Sequence, residues 1–183
     1  MEYFDVLNEC GDFTGEIKSR EECHTKGLWH KAVVIFIVSS DNKKVLLQQR
    51  SSTKKLWPNF WDITAGGHVL SEELGWEAAL REAQEEIGIS INKNDIEFIG
   101  ATTSENKKGE IINRHFNEYY IVHKDVDVKN IILQEEEVQD IKWLSKEEIS
   151  ERVEANFKDL TDKIECWHYL LKYLEIMDKR SNI

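Results

Sequence analysis

Three carboxylates, Glu82, Glu85 and Glu86, stand at i, i+3 and i+4 of one short stretch. On a helix these positions share a face. Anions held that close repel one another unless something positive sits among them. A hard divalent cation is the natural occupant, because Mg2+ takes oxygen ligands and commonly joins carboxylates to substrate phosphate. The bland alternative is a solvated acidic face. Arg81 immediately precedes the cluster and carries the opposite charge.

The surrounding residues decide between these readings. Residues 67–89 read GHVLSEELGWEAALREAQEEIGI. This stretch resembles the Nudix box, G-x5-E-x7-R-E-U-x-E-E-x-G-U with U aliphatic. Gly67, Glu73, Arg81, Glu82, Glu85, Glu86, Gly88 and Ile89 fall in register, with Ala83 at the first U position. At ordinary residue abundances, seven fixed positions match by chance with a probability on the order of 10⁻⁸ per starting point. The resemblance implies a hydrolase that uses water to split a diphosphate linkage in a small organic molecule. It also implies that Gly67, Glu82, Glu85 and Glu86 hold Mg2+, with Mn2+ as a substitute, and that Arg81 orients the acids through an ion pair with Glu73. Glu82, Glu85 or an acid from a later loop would be the general base.

The likeness extends over about residues 24–150. Residues 48–58 and the Trp61-Asp62 pair resemble the stretch preceding the box in isopentenyl-diphosphate isomerases and the hydrolases nearest them. His24, His30 and His68 fall near the isomerase's metal-binding histidines, with the interval from His24 to His30 shorter by one residue. Glu118 resembles the isomerase carboxylate that both ligates metal and takes part in proton chemistry. Isomerisation, which shuffles a proton on an allylic carbon and leaves the diphosphate intact, is therefore the alternative reaction. Three departures count against it. Gly66 stands where the isomerase needs a cysteine, Phe116 falls on its second carboxylate ligand, and the box here keeps every acid that isomerases lose. A non-catalytic binding module would be favoured by loss of a box carboxylate, and none is lost.

The remaining candidates carry two readings each. Arg50, Lys54 and Lys55 form the basic cluster nearest the box, and the resemblance implies that Arg50 and one lysine contact substrate phosphates. The alternative is a solvated basic loop. Glu137 closes the run Glu135-Glu136-Glu137 and with Val138 matches an E-V pair in related sequences, so it is either an extra ligand or base, or part of a wet loop. His24, His30 and His68 are either an inherited metal site or packing and hydrogen-bonding groups. His115, His123 and His168 show no ligand spacing and read as ordinary residues.

These side chains need a scaffold. The β-branched run Lys31–Ser39 reads as a buried strand, Asp41-Asn42 as a turn, and Lys44–Gln49 as its hairpin partner. Trp61–Ala65 reads as a strand ending at Gly66-Gly67. Trp76–Ile87 has helical periodicity closed by Gly88. Strands are predicted at Ile96–Thr103, His115–Val122 and Ile141–Leu144. Ser145 and Glu148 form a capping box for a further helix. Leu160–Lys179 has apolar residues at helical spacing, for a helix that either covers a sheet or pairs with a second copy. Residues 1–30 are polar and turn-rich, with room for a short strand or hairpin. The predicted fold class is α/β: a Nudix-type α/β/α sandwich around a mixed sheet. Residues 1–183 read as one domain, with an extension at 1–30, a core at 31–155 and a C-terminal helix at 156–183.

Composition bounds the partners. A net charge of -11, from 24 basic and 35 acidic residues, repels nucleic-acid polymers and anionic membranes. The expected partner is a small-molecule diphosphate, and a homodimer is left open. Cys10, Cys23 and Cys166 are odd in number and widely spaced, which suits reduced thiols. With no leader-like N-terminus and no apolar run of spanning length, the expected location is cytoplasmic.

Overall fold

The computed structural model describes residues 1–181. Its centre is a seven-stranded mixed sheet built around β3 (His30–Val38), whose side chains are apolar on both faces. On one edge β3 runs parallel to β8 (Ile111–His123), which pairs antiparallel with β7 (Ile96–Lys108). On the other edge two strands share it. β6 (Ala65–His68) takes the first half, and β4 (Lys44–Arg50) touches only Ile37 and Val38 before diverging. β5 (Trp61–Asp62) and β9 (Val138–Ser145) then flank β4.

The stretch predicted as one strand at Trp61–Ala65 is thus two. Because β3 and β4 part, the chain pairs with β4 at Trp61-Asp62 and then crosses to β3 at Ala65. Gly66 and Gly67 lie inside β6 rather than ending a strand. Thr64 sits in the fork: its hydroxyl accepts from the Ile37 N–H at 2.9 Å and donates to the Leu46 carbonyl. One side chain so satisfies backbone groups of both diverging strands.

Alternation along β3 divides two cores. Val33, Ile35 and Ile37 pack with Ala78, Ala79, Ala83 and Ile87 of α2 (Gly75–Ile87). Val34, Phe36 and Val38 pack with Trp167, Leu170 and Leu174 of α4 (Ile164–Ser181), and Ile149 of α3 (Lys146–Glu154) joins them. The architecture is the predicted α/β/α sandwich. The capping box at Ser145 forms, with Glu148 N–H donating to the Ser145 hydroxyl at 3.1 Å. The apolar stripe of the last helix is spent on the sheet. That helix starts later than predicted, because Leu160 and Thr161 lie beside Trp61 in a short parallel bridge.

The N-terminal residues form more than a hairpin. β1 (Tyr3–Leu7) and β2 (Phe13–Ser19) lead into α1 (Arg20–Lys26), capped by Ser19 and ended by Gly27 in the left-handed conformation. Helical periodicity does not show α1, since Cys23 is its one buried residue. β7 and β8 also outrun the predicted segments, continuing as a largely polar ladder from Ser104 and His115 to Lys108 and Ile111, with Ile111 and Ile112 its apolar members. All three cysteines are unpaired. Among the described residues no helix is long and apolar enough to cross a membrane.

Leu170 is fully buried against the sheet. Leu170→Ala should lower the unfolding free energy by roughly 2–5 kcal/mol in urea titration, whereas Ile132→Ala on the surface should change it by less than about 0.5 kcal/mol. A small effect at Leu170 would mean that α4 does not cover the sheet in solution.

Candidate active site

Helix α2 lies close to β6 because the facing residues are small. Its contact positions are alanines, and at Gly67 a Cβ would fall 2.1 Å from Glu82 Oε1. Any side chain at 67 would therefore displace the first box carboxylate. The start of α2 has no side-chain cap at Leu74, and instead Glu77 reaches back to accept from the Leu74 N–H at 2.9 Å.

Arg81 organises the acids. Its Nε donates to Glu73 Oε1 at 2.9 Å, and its Nη2 to Glu73 Oε2 at 3.0 Å, a forked pair. Nη2 also donates to the His68 carbonyl at 3.0 Å, while Nη1 reaches Glu82 Oε1 at 2.7 Å and Glu85 Oε2 at 3.3 Å. Glu73 in turn accepts from the Leu70 N–H at 2.9 Å, which pins the loop before α2. Glu82 is largely buried, whereas the Glu85 side chain is 55% exposed.

Glu86 lies deepest of the three. One oxygen, Oε2, accepts from the Gly66 N–H and from Gln48 Nε2, both at 3.2 Å. Burial, with Glu82 as a neighbouring anion, pushes its carboxyl up to about 8. Burial also raises Glu82, although Arg81 opposes the shift. The amide oxygen of Gln48 is buried without a partner beside this group. Two carboxylates held against their own ionisation, next to an unused oxygen acceptor, are a donor set suited to a hard cation.

The basic loop reaches the same end of the sheet but is already engaged. Arg50 donates to the Leu56 carbonyl at 3.1 Å and to Asp62 Oδ2 at 3.2 Å. Asp62 is fully buried, and it also accepts from the Thr161 hydroxyl and from Lys163 Nζ, both at 2.9 Å. Burial would raise its pKa, but Lys163 and Arg50 outweigh that and hold the carboxyl below its usual range. Lys54 forms an ion pair with Glu137, so two candidates from distant segments meet. Their loop is tied to α2 through the Gln134 N–H, which donates to the Glu86 carbonyl at 3.0 Å. Lys55 is exposed. Lys163 belongs to no charge cluster or local spacing, and Gln48 and Asp62, though within the stretch that carries the resemblance, take their roles from partners far along the chain.

The histidines require a correction. His24 on α1, His30 on β3 and His68 on β6 do converge, but the fourth member of the group is His115 on β8. Spacing does not show its membership, because its partner in the β3–β8 register, His30, lies 85 positions away. Glu118 is not part of this group. It pairs with Lys31 at 2.9 Å, accepts from the Tyr120 hydroxyl at 2.7 Å, and fills the space where a Cβ of Gly75 would stand. Phe116 packs on Trp29, with ring centroids 5.1 Å apart.

Comparison with known proteins gives the family. The NUDIX domain model matches residues 28–164. The chain is 36% identical over 151 residues to Nudix hydrolase 3 of Arabidopsis thaliana, covering 80% of this chain and 20% of that protein. It thus spans about a fifth of the plant relative's length. It is also 36% identical over 149 residues to an uncharacterized Nudix hydrolase of Listeria monocytogenes, lmo0368, covering 81% of this chain and 83% of that one. Among solved structures, DR0079 from Deinococcus radiodurans superposes with a TM-score of 0.68 at 23% identity over 91% of this chain and 98% of its own, a likeness of fold. The chain belongs to the Nudix family.

The raised Glu86 carboxyl sets a sign for stability. A carboxyl whose folded pKa lies above its unfolded value stabilises fully at low pH and loses that contribution as pH rises from about 4.5 through about 8. In EDTA, Glu86→Gln should therefore melt higher than wild type at alkaline pH, and the gap should close towards acid pH. An equal gap at all pH values would refute the assignment.

Proposed function

We propose that this protein is a Mg2+-dependent pyrophosphohydrolase, with Mn2+ as an alternative ion, acting on a small organic diphosphate. The observation that carries this reading is the clustering of Glu82, Glu85 and Glu86 on one face of α2, with Arg81 holding Glu82 and Glu85 and with Gly67 leaving room for Glu82. The Gly67 carbonyl and these three carboxylates would hold the ion. When bound it would neutralise the diphosphate, polarise the phosphorus–oxygen bonds and lower the pKa of the attacking water.

The chain's own groups supply the rest. Arg81 keeps Glu73 and Glu82 fixed, so that the acids need no reorganisation during reaction. Glu85 is the most accessible of the three and has only a long contact to Arg81, which suits it to take the proton of the attacking water. Lys54 can exchange Glu137 for a phosphate oxygen, and exposed Lys55 lies beside it. Arg50 is committed to Asp62 and positions this loop, with its remaining donors free to meet the substrate. The box specifies the reaction and not the substrate, so nucleoside diphosphates or triphosphates, nucleotide sugars, dinucleotides and prenyl diphosphates are the substrate classes to compare, and the isomerase-like framework favours the small or prenyl type.

Hydrolysis is favoured over isomerisation by steric room. A Cβ at Gly66 would lie 2.5 Å from the Val33 carbonyl oxygen and 2.8 Å from Ile63 Cδ1, so the cysteine that isomerisation needs does not fit here. Gly66→Cys should melt lower than wild type and form no isomerised product from isopentenyl diphosphate. Isomerised product from either protein would overturn the reaction class.

Purified protein with Mg2+ should release phosphate or a monophosphate from at least one of these substrate classes, and EDTA should stop it. Glu85→Gln should cut turnover by more than about 100-fold while keeping the wild-type circular dichroism spectrum. Full activity in that variant would refute the metal and base assignment.

A further inference from the structure

The histidine group stands apart from the carboxylate site. Antiparallel pairing places the Gly67 position on the α2 face and the His68 ring on the opposite one, where the N-terminal elements pack. We propose that His24, His30, His68 and His115 form an all-imidazole site for a zinc-class divalent cation, which staples the N-terminal unit to the sheet.

Four observations support this site. The four rings come from four elements, α1, β3, β6 and β8, and their ligand nitrogens lie within 4.8 Å of one another. Tetrahedral zinc, with bonds of about 2.0–2.1 Å, needs nitrogens roughly 3.4 Å apart, so small side-chain rotations close the shell. The Nε2 atoms of His24, His30 and His115 are buried and have no hydrogen-bond partner. His30 Nδ1 lies 2.8 Å from the Leu28 carbonyl, which places its proton on Nδ1 and leaves Nε2 a bare lone pair, as in oriented metal-binding imidazoles. Phe4 stacks on His30 and His68, with centroids 4.9 and 4.7 Å away, and closes the group with an apolar lid.

The chemistry selects the ion. No carboxylate belongs to the group. Neutral imidazoles suit zinc and its neighbours, whereas Mg2+ prefers oxygen. Four protein ligands would complete a tetrahedron and leave no open position, which makes the role structural rather than catalytic. Closing the shell would join α1 to three strands of the sheet.

Cobalt provides the test. Metal-stripped protein carrying Glu85→Gln and Glu86→Gln, kept in excess Mg2+ to occupy what remains of the carboxylate site, is titrated with Co2+ and then Zn2+. One equivalent of Co2+ should give the strong visible absorption of a four-coordinate ion, zinc should abolish it, and zinc should raise the melting temperature. His24→Ala and His115→Ala, added separately, should each remove the signal and the shift, while His123→Ala keeps both. Should those two variants fail to fold, X-ray absorption of the zinc-loaded protein decides instead, with four nitrogen neighbours at about 2.0 Å expected. No uptake, a weak six-coordinate spectrum, an oxygen-rich shell, or a signal untouched by His115→Ala would overturn the proposal. Failure of the diphosphatase reading would leave each of these outcomes unchanged.

Discussion

The guanidinium of Arg81 is the constraint on which the rest of the site depends. It has five N–H donors in one plane, and the five contacts it makes go to Glu73 twice, Glu82, Glu85 and the His68 carbonyl. A single rigid group thus fixes a loop, a helix and a strand relative to one another. Lysine carries the same charge but not the fork, so it could hold one of these acids without placing the others. The arrangement also balances charge, since one cation sits against Glu73 of the loop and Glu82 and Glu85 of the helix, which would otherwise repel one another.

Around this group the fold is shaped as much by omitted atoms as by contacts. Gly67 makes room for Glu82, Gly75 makes room for Glu118, and alanines bring α2 against β3. Where β3 and β4 separate, the gap is closed by a hydroxyl instead of a strand. That separation lets one short segment pair with β4 and then with β3, and so delivers Gly66 and Gly67 beneath the helix. The acids, the glycine strand and Gln48 meet because the sheet divides there.

Local chemistry was legible in the sequence and long-range chemistry was not. The box helix, its closing glycine, the buried β3 run and the Ser145 cap follow from patterns within a few residues of one another, and the structure has them at nearly those limits. The two-part strand at 61–68 was not legible, because the choice of partner depends on how β3 and β4 diverge. α1 has good caps but no apolar stripe, and on β7 the ladder beyond Ser104 is wholly polar. In the site, the box acids could be named from their spacing together with the resemblance of residues 67–89 to the Nudix box. His115 and Lys163 could not, since each joins its partners only through strand register or the docking of a distant segment.

Asp62 has a consequence for how the layers are joined. It is fully buried, and Lys163, one of the two cations that face it, lies 101 residues further along. Without that lysine, only Arg50 would balance a carboxylate that has lost its water. The carboxylate thus ties the end of the basic loop's strand to the segment that opens the second helical layer, and the two layers of the sandwich share one buried charge.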